Sequence, residues 1–163
     1  MMDENKVERV GKASGLRCVV LGIPNMHRCG YVGVRPGSVL YGKHYDDVPA
    51  EVHGGLTYSG GGSYPVDGDE WWLGFDCAHY GDAPDPALRD DRYRAPSHGC
   101  ESSGHLWTSA EVAEECERLA AQIDEIERAE PYGWVRRAYR LARFWLAVAG
   151  RRCTALCRSV VAV

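Results

Sequence analysis

Residues 51–82 read EVHGGLTYSGGGSYPVDGDEWWLGFDCAHYGD, and this stretch limits the folds open to the whole chain. Residues 71–76 (WWLGFD) form a short apolar run bounded by turn signals, which predicts a buried strand. Residues 51–58 alternate weakly and read as a second strand, interrupted by Gly54-Gly55, where glycine marks a bulge or a close backbone approach. Gly60-Gly61-Gly62 opens a turn-rich loop between them. Two such runs joined in this way predict an antiparallel pair. The 19 glycines of this 163-residue chain fit a loop-rich, partly β architecture.

The flanking segments extend this frame. Residues 1–15 are polar and predict a disordered N-terminus. Residues 16–23 (LRCVVLGI) and 30–34 (GYVGV) predict a hairpin, with Pro24-Asn25 breaking the first strand and His27 and Cys29 at the connection. Residues 38–50 are a polar, aromatic loop. Residues 80–107 are irregular and long for a structureless connection, which points to a binding loop, a lid or disorder. Thr108 and Glu111 match a capping box. Val112, Cys116, Leu119, Ile123 and Ile126 follow on one helical face. A last helix is predicted over residues 134–149, with Trp134, Ala138, Leu141, Trp145 and Val148 on one side and Arg136, Arg140 and Arg143 on the other. The chain therefore reads as an α+β fold: a small antiparallel sheet over residues 16–76, with two C-terminal helices packed on one side. Its expected organisation is a disordered segment 1–15, a core 16–130 and a basic amphipathic helical tail 131–163.

Charge is unevenly spread. The net charge is −4, yet residues 131–163 hold seven arginines and no acid, which leaves −11 on the rest. An acidic body is poorly suited to a nucleic-acid backbone. The tail's apolar face is expected to pack on the domain, with its arginines toward solvent or the acidic body. Contact of the 134–158 segment with an anionic membrane or nucleic acid is the alternative. The charged N-terminus lacks the apolar core of an export signal, and the seven cysteines are odd in number. Both predict a cytoplasmic protein with reduced thiols. No run approaches the length of a membrane span.

Several strings in the centre of the chain are specific enough to carry a resemblance. They are Cys29-Gly30-Tyr31-Val32-Gly33-Val34, Tyr41-Gly42-Lys43 with Tyr45-Asp46-Asp47, His53-Gly54-Gly55-Leu56-Thr57-Tyr58-Ser59, and Trp71-Trp72-Leu73-Gly74-Phe75-Asp76-Cys77-Ala78-His79 with Gly81-Asp82. Together they resemble a family of small uncharacterised phage and prophage proteins over residues 28–127. Ser38-Val39 departs from the His-Pro of that pattern, and the arginine-rich tail lies outside it. The resemblance implies a phage-type protein in a bacterial cytoplasm. By association it implies a host-interaction or anti-defence role; it brings no established activity.

The residues themselves support three chemistries. His53, Asp76, His79 and Asp82 could converge if the two strands pair, because Asp76-x-x-His79-x-x-Asp82 steps through a turn. Imidazole and carboxylate ligands suit Zn²⁺ or Mn²⁺ with a position left open for water, and such a metal lowers the pKa of that water to about 7. The bland alternative makes the aspartates turn caps and the histidines core hydrogen-bonders. Second, Cys77 could be a nucleophile with His53 or His79 as its base, which needs a lowered thiol pKa; against this, a cysteine after an apolar run is commonly an inert core residue. Third, Gly54 and Gly55 could let the backbone approach a ligand, with Lys43 neutralising a phosphate and Tyr41, Tyr45, Thr57, Tyr58 and Trp72 positioning a nucleotide-like small molecule. His27-x-Cys29 and His98-x-Cys100 could also share a zinc, although their spacing is not that of a finger or ribbon. The most concrete expectation is a metal-dependent hydrolase of a phosphorylated or nucleotide-like small molecule, with His53, Asp76, His79 and Cys77 as its catalytic candidates. The competing class is a non-catalytic binder that sequesters a nucleotide signal or blocks a host protein.

Overall fold

The computed structural model describes residues 5–90 and 104–129. Five strands form one antiparallel sheet: β1 (Lys6–Ala13), β2 (Leu16–Gly22), β3 (Arg28–Val34), β4 (Tyr58–Gly61) and β5 (Trp71–Asp76), in the order β1-β2-β3-β5-β4. One α-helix among the described residues, α1 (Ser109–Ala129), packs against β1, β2 and β3. The fold is α+β, as the sequence predicts; the second predicted helix lies outside the described residues.

Alternation along the strands explains the layers. Leu16, Cys18 and Val20 of β2, Val32 and Val34 of β3, and Leu73 and Phe75 of β5 share one face of the sheet. They form a core with Val112, Cys116, Leu119, Ala120 and Ile123 of α1. The intervening residues Val19, Leu21, Cys29, Tyr31 and Trp72 form a second cluster on the opposite face. Burial on both faces is why these strands read as continuous apolar runs. Gly30 lets the helix approach, since a Cβ there would collide with the Phe75 ring and the Cys116 thiol. The predicted capping box forms: the Thr108 N–H donates to Glu111 Oε2 at 2.8 Å, and the Glu111 N–H donates to Thr108 Oγ1 at 3.3 Å.

Three expectations change. Lys6–Ala13 is an edge strand rather than frayed chain, paired with β2 from Lys6↔Gly22 to Ala13↔Leu16. Its turn is Ser14-Gly15, with φ of 48° and 74°, the left-handed values that a two-residue hairpin requires. The strand is mostly exposed and carries Lys6, Arg9 and Lys12, so it shows no apolar alternation. Residues 51–57 are not a strand; pairing with β5 begins only at Tyr58↔Gly74. Several of their backbone groups bond to α1 instead. Gln122 pairs with Glu51 through both its amide atoms, each at 2.8 Å, and the His53 N–H donates to Glu115 Oε1 at 2.7 Å. Finally, the described parts of 80–107 are tied down. Pro86–Leu88 makes a 3-10 turn, and Asp82 bridges to His105, with Ala83 N–H to His105 O at 2.8 Å and His105 N–H to Gly81 O at 2.7 Å.

Arg28 is 5% exposed. It pairs with Glu8 at 2.6 Å, with Asp85, and with the Trp107 carbonyl at 2.9 Å. Among the described residues no helix is long and apolar enough to cross a membrane.

Candidate metal centre

Three segments meet at Asp82. β5 ends at Asp76, and the chain then folds through a turn in which the Asp82 N–H donates to His79 O at 3.0 Å. The His79 N–H returns a bond to Asp82 Oδ2 at 2.8 Å. The 51–55 loop, held to α1 by Glu115 and Gln122, presents His53, and the Asp82–His105 bridge brings up Trp107. Asp82, whose side chain is 6% exposed, accepts from His53 Nε2 at 2.8 Å and from Trp107 Nε1 at 2.9 Å as well. Burial pushes the Asp82 carboxyl pKa up. The bonds from His53, the His79 N–H and Trp107 outweigh that and hold it below its ordinary value. An ionised carboxylate only accepts, so the His53 Nε2 facing it carries the proton in this metal-free arrangement, and a metal ion bound at that nitrogen would displace the proton.

The rings are fixed by packing. Trp107 lies over His53 with centroids 4.4 Å apart and planes 39° apart, and the His53 and His79 rings meet edge-on at 5.1 Å. His79 covers Gly54, whose φ is +65°; a Cβ there would overlap the imidazole. Gly54 is therefore required twice, for its left-handed backbone and for the room it leaves.

His53, His79 and Asp82 each offer a ligand atom, and these atoms lie within 4.8 Å of one another. The His53 Nε2 to Asp82 Oδ2 distance is 2.8 Å, and His79 Nδ1 to Asp82 Oδ2 is 3.7 Å. Ligands about 2.0–2.1 Å from a tetrahedral Zn²⁺ stand roughly 3.3 Å apart. Shifts of a few tenths of an ångström would bring these two separations to that value, and the third, between the His53 and His79 nitrogens, lies within 4.8 Å. His79 Nδ1 is buried and has no hydrogen-bond partner among the described residues. Asp76 Oδ1 is 3.9 Å from that nitrogen, but Asp76 is not in the triad. Its oxygens accept from Thr57 Oγ1 at 2.8 Å and the Ala78 N–H at 3.1 Å.

The other predicted residues are dispersed. Cys77 is 3% exposed within the helix-side core. Burial, and then the charge of Asp82, push its thiol pKa well up, which works against the thiolate that a nucleophile needs. Trp72 is fully buried in the opposite cluster and offers no face to a ligand. Tyr58 packs on the same side, edge-on to Tyr31 at 5.6 Å and to Tyr64 at 5.5 Å. The Tyr41 hydroxyl donates to Asp69 O, and the Lys43 carbonyl accepts from Trp71 Nε1. This anchors both near the far end of β5, roughly 17 Å from Asp76 at strand rise. Tyr45 donates its N–H to Ser59 Oγ. Gly54, Gly55 and, through Asp76, Thr57 adjoin the triad. Cys29 belongs to the second core cluster, which removes it from a zinc site with His27; His98 and Cys100 lie outside the described residues.

No protein-family model, curated protein or solved structure matches the chain. Two residues of the centre come from outside the 51–82 stretch. Trp107 is 25 positions from Asp82, and Glu115 is 62 from His53. The capping box and helical face foretell α1, but no local pattern marks Trp107 or Glu115 as belonging to the site.

Proposed function

We propose that His53, His79 and Asp82 bind a divalent metal ion, Zn²⁺ or Mn²⁺, and that the chain hydrolyses a phosphorylated or nucleotide-like small molecule. The observation that carries this reading is His79 Nδ1. It is a buried ring nitrogen without a partner, facing two carboxylate oxygens at 3.7 and 3.9 Å. Those distances are too long for hydrogen bonds and leave a space whose donors are nitrogen and oxygen. Bound there, the ion supplies a water of lowered pKa and a Lewis acid for a phosphoryl oxygen. Asp82 and His53 hold the site's geometry from the buried side. Asp76, at its edge, is placed to take the proton of an attacking water. Gly54 and Gly55 leave backbone room beside His79. Tyr41, Tyr45, Lys43, Tyr58 and Trp72 have no part in this reading, because their described contacts are with other groups.

The test is turnover of a panel of phosphate esters and nucleotides by protein loaded with Zn²⁺ or Mn²⁺, with products separated by chromatography. The expected result is metal-dependent hydrolysis that disappears in His79→Ala. Metal uptake without turnover of any substrate would overturn the enzymatic half of the proposal. One observation favours the competing non-catalytic binder: Asp82 already receives three hydrogen bonds and could serve as a brace. On that reading a bound nucleotide is recovered intact after denaturation, and the resemblance to small phage proteins suggests a sequestering or host-blocking role.

A further inference from the structure

We propose that Glu115 is a positioning residue for His53, acting on the metal centre from α1; this rests on the metal-binding reading above. His53 lies in a turn and no strand partner fixes it. Its backbone N–H donates to Glu115 Oε1 at 2.7 Å. Glu115 is 3% exposed and sits beside Val112, Cys116 and Leu119 on the buried side of α1. Burying a carboxylate is costly, and a neutral amide could accept the same N–H. Arg118, one turn along α1 and mostly exposed, partly offsets that charge. With its main chain held by Glu115 and its ring lying against Trp107, His53 points at Asp82. The helix that completes the core thereby also fixes one ligand of the centre.

The experiment compares the full wild-type chain with Glu115→Ala and Glu115→Gln by three readouts. These are calorimetric Zn²⁺ affinity, the melting temperature of the metal-free protein, and the hydrogen-bonded ring N–H of His53 in ¹H–¹⁵N spectra. Glu115→Ala is expected to weaken Zn²⁺ binding by about 10–100-fold, the usual effect of losing a supporting contact to a ligand. It is also expected to lose the ring N–H signal to solvent exchange. Glu115→Gln, whose amide oxygen can accept the same bond, is expected to stay close to wild type in both. A lower melting temperature with unchanged Zn²⁺ affinity and an unchanged ring signal would reduce Glu115 to a structural residue and overturn the proposal. Should wild type take up no Zn²⁺, the metal reading fails, and the ring signal alone decides: lost in Ala and kept in Gln supports positioning, the same in all three overturns it. If Glu115→Ala does not fold, Glu115→Asp carries the same comparison, because it keeps the charge and shortens the reach.

Discussion

Trp107 takes part in two polar centres, one through its carbonyl and one through its indole nitrogen. The carbonyl belongs to the Arg28 centre, where the guanidinium meets Glu8 through two nitrogens, then Asp85, then Trp107 O. Its three side chains are between 5 and 13% exposed, and the cation is satisfied by partners on three separate segments. The indole belongs to the Asp82 centre, whose two histidines are 24 and 31% exposed and where His79 Nδ1 has no partner among the described residues. The first centre is closed, and its work is to tie β1, β3, the 85–88 turn and the approach to α1 together. The second is open to solvent and short of a positive charge, which is what a cation site requires. Satisfaction and exposure, not composition, set the structural cluster apart from the candidate functional one.

The largest effect should come from breaking the closed centre. Arg28→Met leaves Glu8 and Asp85 buried without their cation, and such losses cost about 3–5 kcal/mol. Urea unfolding of metal-free protein should show a drop of that order. Zn²⁺ affinity of the variant that remains folded should be close to wild type. A large loss of affinity at full stability would break the separation drawn between the two centres.

A smaller effect is expected from Gly54→Ala. The left-handed backbone and the overlap with the His79 ring together should cost roughly 1–3 kcal/mol. The displaced imidazole should also lower metal affinity, read by calorimetry. Unchanged affinity would mean that His79 is not a ligand in the position described.

The smallest effect is a pH dependence, in two windows. Burial lowers the His27 pKa, with Asp76, His79 and Asp82 as the charges around it. The unfolded chain then binds more protons, so this contribution to stability is present above about pH 6.5 and is lost as pH falls below that value. The Asp82 and Asp85 carboxyls are held low against burial, Asp82 by His53, the His79 N–H and Trp107, and Asp85 by the Ala87 N–H and Arg28. Their contribution is present above about pH 4 and is lost only as pH falls further, through their depressed values. Chemical denaturation across pH 3–8 should show both limbs. His27→Gln should flatten the upper limb and leave the lower one intact.

Much of the fold is legible in the amino-acid sequence. β2, β3 and β5 announce themselves because both their faces are buried, and α1 because its core face repeats at helical spacing. The approach of His79 to Asp82 is readable from Asp76-x-x-His79-x-x-Asp82, since a turn of that length folds back on itself, and His53 is expected beside them from a strand pairing. The route differs from the one the sequence suggests: His53 arrives on a loop clamped by α1, not on a strand paired with β5. No local pattern marks the clamp, because Gln122 stands in for a strand partner from 71 residues away. β1 is equally silent, because an exposed edge strand needs no apolar pattern. The aromatic and basic residues expected at a ligand carry that expectation by residue type alone. Tertiary packing places Trp72 in a core, Tyr58 in a tyrosine cluster, and Tyr41 and Lys43 at the other end of β5.

The central claim is that the open centre takes a cation. Elemental mass spectrometry of dialysed protein, after loading with Zn²⁺, tests it directly in wild type and His79→Ala. The expected result is one ion per wild-type chain and a large loss in the variant. No retained ion in wild type, or equal retention in both, contradicts the claim.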